Sequence, residues 1–211
     1  MENALVRLKL SGFQPKSILD LGAHHGKWTE VTREVWPEAS FVMVDAIEYE
    51  EPKRLRVPYF NAVLNDTVTD VPWYEEKNTG DSMFKENTTY FKDTKPQTRR
   101  STTLDIMFAD KSFDFIKIDC QGAEIPILKG GPNTVENAEV ILLEIPFAGQ
   151  YNVGVPDFQT HVAYMDSIGF APFDVAEQHR WGMYLIQIDI VFVRKTSNLW
   201  KTLQKWIESA K

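Results

Sequence analysis

Ser17-Ile18-Leu19-Asp20-Leu21-Gly22-Ala23-His24-His25-Gly26 reads as an apolar strand that ends in an acid and then breaks into a turn bracketed by glycines. Gly22 and Gly26 lack a Cβ, so the backbone there bends sharply and admits a ligand closely. The helix expected from Lys27 aims its free N–H groups at whatever sits in that turn, an arrangement suited to a nucleotide. Asp20, at the strand end, offers a carboxylate to a cationic ligand group. Gly-x-x-x-Gly also occurs in turns that bind nothing, and a second acid adds more. Asp45 closes the next apolar run, Phe41-Val42-Met43-Val44, about 20 residues beyond the turn, where a doubly wound sheet places the carboxylate that holds ribose hydroxyls. The bland alternative is a plain βαβ unit with a surface acid.

The 211 residues are 43% hydrophobic and 25% charged, the balance of one α/β domain spanning 1–211 with a core of its own. A formal net charge of −7, with Arg99-Arg100 as the tight basic pair, argues against a nucleic-acid surface, which needs clustered lysine and arginine. Cys120 is the single cysteine, so no internal disulfide forms, and its apolar strand-end setting points to a buried, inert thiol in a reducing cytoplasm. The first ten residues mix charge through their apolar positions instead of forming a signal-peptide core, and no window approaches the ~20 apolar residues of a membrane span. The expectation is a cytoplasmic protein, neither secreted nor membrane-inserted.

Hydrophobic periodicity predicts a short helix over 3–12 that walls the ligand pocket, a first strand at Ser17–Asp20 and a crossover helix Lys27–Trp36 ended by Pro37. A strand follows at Ser40–Asp45, then a polar helix Glu48–Arg56 and a third strand Pro58–Leu64 carrying Asn61 and Ala62. The Asn61 amide is placed to read an adenine edge or to satisfy its own turn. Residues 65–100 read as an insertion: polar, dotted with Trp73, Tyr74, Phe84, Tyr90 and Phe91, and holding one edge strand at Val71–Glu75. Such aromatics either present flat faces to an acceptor or pin the loop to the core. Beyond it come a helix Leu104–Ala109 capped by Ser101-Thr102-Thr103 and a central strand Phe113–Asp119. A turn and glycine-broken helix at 120–131 leads to a fifth strand Val140–Ile145 with Glu144 near its end. Helix Asp157–Ile168, strands Phe170–Val175 and Tyr184–Arg194, and an amphipathic helix Asn198–Ala210 (197–210 as a C-terminal segment) complete the chain. No crossover helix fits before Tyr184, so the last strand pairs antiparallel on a mostly parallel, doubly wound sheet.

Ile18-Leu19-Asp20-Leu21-Gly22-Ala23-His24-His25-Gly26, Thr103-Leu104-Asp105-Ile106, the stretch Phe-Ile-Lys-Ile-Asp-Cys-Gln-Gly-Ala-Glu-Ile-Pro-Ile-Leu-Lys-Gly at 115–130, Leu142-Leu143-Glu144 and Gln-Ile-Asp-Ile-Val-Phe-Val-Arg at 187–194 together resemble FkbM-type S-adenosylmethionine-dependent methyltransferases, over roughly residues 15 to 195. Lys-Ile-Asp-x-x-Gly-Ala-Glu followed by Leu-Lys-Gly is the specific part. Gln121 stands where many members carry Glu, and the second strand ends Val-Asp-Ala where members more often read Phe-Glu-Pro.

The resemblance implies a Rossmann-like class I methyltransferase fold and methyl transfer from S-adenosylmethionine, commonly to a hydroxyl of a sugar or natural-product scaffold. In that setting Gly22, Ala23, His24 and Gly26 wrap the methionine end, Asp45 holds the ribose, and Asn61 and Ala62 face adenine. The small-molecule or glycan acceptor sits over the ends of strands four and five, with Asp119 and Glu144 pointing into one crevice. They either ligate a Mg²⁺ that acidifies the hydroxyl or supply a base, with His161 as a further base; alternatively Asp119 orients the methionine ammonium and Glu144 caps a loop. A nicotinamide-dependent oxidoreductase is the runner-up, disfavoured by the missing third glycine of Gly-x-Gly-x-x-Gly, and a catalytically inactive nucleotide-binding module is another reading. A homo-oligomer is left open.

Overall fold

The computed structural model describes residues 1–148 and 152–209. In chain order the elements are α1 (Glu2–Leu10), β1 (Ser17–Leu21), α2 (Lys27–Val35), β2 (Ser40–Asp45), β3 (Tyr59–Asn61), β4 (Val63–Leu64), β5 (Asp70–Trp73), β6 (Gln97–Thr102), α3 (Leu104–Met107), β7 (Phe115–Ile118), α4 (Glu124–Lys129), α5 (Pro132–Glu136), β8 (Val140–Pro146), α6 (Phe158–Ser167), β9 (Phe170–Trp181), β10 (Tyr184–Arg194) and α7 (Asn198–Ser209).

A seven-stranded sheet in the order β3-β2-β1-β7-β8-β10-β9 carries the molecule, parallel from β3 to β8 and antiparallel at β10 and β9. The central strands are apolar on both sides, as a sheet covered on both faces requires. Leu19, Leu21, Ile116, Ile118, Ile141 and Leu143 face a layer that includes Leu104, Leu128 and Met165 from α3, α4 and α6. The alternate residues Ile18, Phe115, Val140, Leu142, Val191 and Val193 face Leu5, Leu8, Trp28 and Leu199 from α1, α2 and α7. Period-two alternation thus builds two cores from one sheet, and the parallel strands share a carboxyl edge where ligands of open α/β sheets bind.

The sequence expectations differ from the structure where side chains carry little apolar signal. Glu48–Arg56 is not an α-helix; only a 3₁₀ turn, Pro52–Leu55, forms there, because the segment offers no apolar stripe to bury. Pro58–Leu64 is not one strand. β3 pairs with β2, the Ala62 N–H is taken by the Asp45 carbonyl at 3.0 Å, and β4 turns away to pair with β6. β6 went unseen because its Gln-Thr-Arg-Arg-Ser-Thr run lacks apolar alternation. It is held between β4 and β5 in a three-stranded sheet, with the Arg99 guanidinium 5.1 Å from the Trp73 ring centroid. α3 stops at Met107, and Pro132 begins a separate α5. β9 runs on to Trp181, six residues past the expected Val175. In α7 Leu199 is buried while Trp206 and Ile207 are exposed; Ala210 lies outside the described residues.

α3 and α5 are tied by one carboxylate. Asp105 accepts from the Asn133 and Thr134 backbone N–H groups at 3.2 and 2.8 Å and from the Thr134 hydroxyl and Asn133 amide at 2.8 and 2.9 Å. Burial opposes its ionisation, and these donors outweigh burial, so its pKa is lowered. A lowered carboxylate pKa contributes stability above the unfolded value of about 3.9, lost as pH falls through the folded one. Asp105→Ala is therefore expected to cost about 1 kcal/mol in urea denaturation at neutral pH, the size of a lost helix cap. The deficit against the wild type shrinks once both are measured below the folded pKa.

Candidate functional site

A cavity of about 700 Å³ opens at the carboxyl ends of β1, β2, β4, β7 and β8. Its rim begins at Gly22, whose φ is +74°; a Cβ there would lie 1.8 Å from the Asp119 carbonyl oxygen. Glycine is thus required at 22 by the close crossing of the end of β7, rather than only by approach to a ligand. The Gly22 and Ala23 N–H groups bond the Val44 carbonyl at 2.9 and 3.1 Å, and His24, at φ +46°, donates its N–H to Asp45 Oδ2 at 2.7 Å. Asp45 Oδ1 accepts from the Ile47 N–H at 2.8 Å. Each Asp45 oxygen keeps lone-pair capacity toward the cavity. Burial raises the Asp45 pKa against the pull of those two backbone donors. The His24 ring lies 4.7 Å from Tyr49, and burial followed by the neighbouring His25 lowers its pKa.

Asp20 does not line this cavity. It is fully buried beneath the floor, with Oδ2 accepting from the Thr29 hydroxyl at 2.7 Å and Oδ1 3.3 Å from Lys117 Nζ. The sequence offered Asp20 to a ligand; the structure gives its carboxylate to Lys117 and Thr29. Lys117 Nζ also lies 3.3 Å from Asp119 Oδ2 and donates to the Gly22 carbonyl at 2.9 Å. Burial disfavours the charged amine, yet Asp20 and Asp119 outweigh it and raise its pKa.

Asn61 also stands outside the cavity wall. Its side chain is exposed and its Nδ2 donates to the Asp45 carbonyl at 3.1 Å, across to β2 and not within its own turn; Ala62, Val63 and Leu64 face inward instead. From the insertion, Trp73, Asp81, Met83 and Phe91 line the same cavity, and Tyr90 stands at it with 80% of its surface free. Most of the loop's aromatics are therefore pinned down, while Tyr90 is presented.

Asp119 and Glu144 meet at the ends of β7 and β8, joined by Gln121, whose Nε2 donates to Asp119 Oδ1 at 3.2 Å and Glu144 Oε2 at 2.7 Å. Gln121 is at φ +52°, in a turn held by Glu124 Oε1, which accepts the Cys120 and Gly122 N–H groups at 3.0 and 3.2 Å. Burial opposes ionisation of Asp119, but Lys117 and its hydrogen bonds win and its pKa is lowered. Burial and the charge of Asp119 push Glu144 well above the carboxylate range. The Cys120 thiol beside them is half-buried on the cavity wall, not fully buried as the sequence suggested, and burial raises its pKa.

His161 is not part of this group. It is fully buried in α6, with Nδ1 2.9 Å from the Asp157 carbonyl and Nε2 3.8 Å from Glu124 Oε2, behind the Gln121 turn. The histidine at the acids is His179 of β9. Its Nε2 lies 3.1 Å from Asp189 Oδ2 and 3.7 Å from Glu144 Oε1, and the Asp189 hydrogen bond raises its pKa despite burial. Neither residue was read from the sequence: His179 lies past the expected end of its strand, whereas an acid inside the apolar run of β10 was a usable signal for Asp189. A second cavity, of about 360 Å³, shares Lys117, Asp119, Glu144 and His179 with the first and is lined also by Met1 and Glu2 at the start of α1.

A nucleotide-sized cavity at the carboxyl edge of a parallel sheet that ends in an antiparallel hairpin defines a class I, S-adenosylmethionine-dependent methyltransferase fold. The model of the methyltransferase FkbM domain matches residues 20–172, and the chain belongs to that family. The methyltransferase FkbM of Methylobacillus flagellatus KT superposes with a TM-score of 0.55 at 14% identity, covering 83% of this chain and 43% of its own, so this chain spans less than half of that protein. The N-terminal domain of EvdMO1, crystallised in the presence of SAH and D-fucose, gives 0.51 at 14% identity over 92% of this chain and 82% of that one. The 1,6-didemethyltoxoflavin-N1-methyltransferase of Burkholderia thailandensis, with bound 1,6-didemethyltoxoflavin and S-adenosylhomocysteine, gives 0.50 at 12% identity over 91% and 76%. None of the curated protein sequences matches this chain. Family membership sets aside the oxidoreductase reading. Among the described residues no helix is long and apolar enough to cross a membrane.

Removing Lys117 leaves the buried Asp20 carboxylate without its cation. Lys117→Met is expected to destabilise the fold by about 3–5 kcal/mol in chemical denaturation, and adding Asp20→Asn to recover part of that loss. Additive effects of the two changes would contradict the pairing.

Proposed function

We propose that this chain methylates a hydroxyl of a sugar or related small molecule. The observation that carries this reading is the convergence of Glu144 and His179, backed by Asp189 from the second cavity, beside Asp119 and three strands from Asp45, where an acceptor hydroxyl would lose its proton. S-adenosylmethionine fits the cavity: about 700 Å³ suits a ligand of that size, Asp45 retains lone pairs for ribose hydroxyls, and Ala62, Val63 and Leu64 offer an apolar wall to adenine. The bound cofactor supplies an electrophilic methyl on sulfur. The chain's contribution is to hold the acceptor oxygen in line and to relieve it of its proton. Gly22, Ala23 and His24 hold the methionine end, and Asp119, beside Lys117, faces its ammonium group; Gly26, which the sequence offered with them, is off the cavity wall, its N–H bonded to the Ala23 carbonyl at 2.7 Å and its Cβ position facing Leu55 and Pro52, and shapes the turn instead. Asn61 supports this wall through the Asp45 carbonyl rather than by touching adenine.

Asp45→Ala is expected to weaken S-adenosylmethionine and S-adenosylhomocysteine binding by about 1.5–3 kcal/mol through lost charge-assisted hydrogen bonds, read by calorimetry. Tight NADH binding without S-adenosylmethionine binding would sink the reading. Incubating the protein and cofactor with candidate sugars and nucleotide-sugars and measuring product mass tests the acceptor class. Methylation confined to nitrogen or carbon acceptors would overturn the hydroxyl assignment.

The exposed ring of Tyr90 belongs to the acceptor. Tyr90→Ala is expected to raise the acceptor KM by roughly three- to tenfold, the worth of a lost ring stack, with cofactor affinity unchanged. Equal loss of both affinities would place the loop over the cofactor instead.

A further inference from the structure

We propose that Glu144, His179 and Asp189 form a binding site for one divalent cation of the Mn²⁺ type, at the junction of β8, β9 and β10. One oxygen or nitrogen from each of the three lies within 4.8 Å of the others. The His179 Nε2 atom faces two carboxylates at once, Asp189 Oδ2 at 3.1 Å and Glu144 Oε1 at 3.7 Å. A ring nitrogen carries at most one hydrogen and so donates in one direction, whereas a cation between the three satisfies both oxygens and the nitrogen lone pair together.

Strand register supplies an independent reason. Asp189 is paired directly with Glu144 on one side and with Glu177 on the other. Directly opposed residues share a face, so the register gathers three carboxyl groups at this point. The ammonium groups nearby are committed: Lys117 to Asp20, Asp119 and the Gly22 carbonyl, and Met1 to Glu177 at 3.5 Å. Asp119, which the sequence put forward as a ligand, is held by Lys117 and the Gln121 amide. That same amide holds Glu144 Oε2 and leaves Oε1 toward His179, as outer partners orient metal ligands. Two carboxylates and one imidazole suit Mn²⁺ better than the all-oxygen preference of Mg²⁺. Three protein ligands at a junction of two cavities leave positions open to an acceptor's oxygens; this use of the ion rests on the methyl-transfer reading, while the site does not.

The test is titration of the full, chelator-treated and desalted chain with Mn²⁺, followed by loss of the free-ion paramagnetic resonance signal. One Mn²⁺ per chain is expected, weakened by at least about tenfold in Asp189→Asn and in His179→Gln, and retained in Asp119→Asn. Circular dichroism of each variant confirms that it is folded, and the two ligand variants guard against failure of either one. No binding up to about 1 mM Mn²⁺, weaker than the weakest functional sites, or binding unchanged in both ligand variants, overturns the proposal. Calorimetry with S-adenosylmethionine on the same samples separates the two readings. Cofactor binding without Mn²⁺ binding removes the metal site alone, and Mn²⁺ binding without cofactor binding supports the site while removing the methyltransferase reading.

Discussion

A single ammonium group holds the carboxyl edge of this sheet together. Lys117 reaches from β7 to Asp20 on β1, to Asp119 at its own strand end and to the Gly22 carbonyl, with the face of Trp28 6.0 Å away. Both ends of the Lys117–Asp20 pair are out of water, so neither charge is tolerable without the other, and breaking such a pair costs far more than the pair contributes. That condition locks β1 to β7 where the cavity starts. It also brings the Asp119 backbone so near Gly22 that a side chain at 22 has no room. The nucleotide turn is therefore shaped first by an internal salt bridge.

From that fixed point the charge pattern spreads outward. Lys117 beside Asp119 lowers the Asp119 pKa against burial, and burial together with the charge of Asp119 raises that of Glu144, two strands from Lys117's partner Asp20. Gln121 can bridge the two acids only from a left-handed backbone, and that backbone is held by Glu124 from below and by the Ser82 hydroxyl, which donates to the Gln121 carbonyl at 2.8 Å from the insertion. The insertion thus reaches the acids through hydrogen bonds as well as lining the cavity. A loop that both walls the site and holds its central turn couples acceptor contact to the geometry of the acids.

The order and type of the main strands were legible because they rest on apolar alternation. Ser17–Leu21, Ser40–Asp45, Val140–Pro146 and Tyr184–Arg194 all lie within a residue of expectation. What escaped was structure made by backbone pairing between polar residues, as in β6, and structure unmade by lack of a buried face, as at Glu48–Arg56. Strand-end acids were legible as a set but not as individuals. Asp20, Asp45, Asp119 and Glu144 look alike in the chain, and only their partners divide them into a buried counter-ion, a half-open carboxylate held by two backbone N–H groups, and an acid pair bridged by one amide.

The two histidines show the same rule from the other side. His161 lies on α6, fully buried, with Nδ1 at the Asp157 carbonyl and Nε2 toward Glu124, so it stands behind the Gln121 turn and not at the acids. His179 sits on a strand expected to have ended, because Glu-Gln-His-Arg carries no strand-like apolar pattern. It is kept in β9 by pairing with β10, and that register sets its ring beside Asp189 and Glu144. The hairpin that closes the sheet therefore does more than protect an edge. It brings a basic group and an acid of its own, Asp189, to Glu144 on the parallel half, a placement that requires the full length of β9 and β10 and that no local motif encodes.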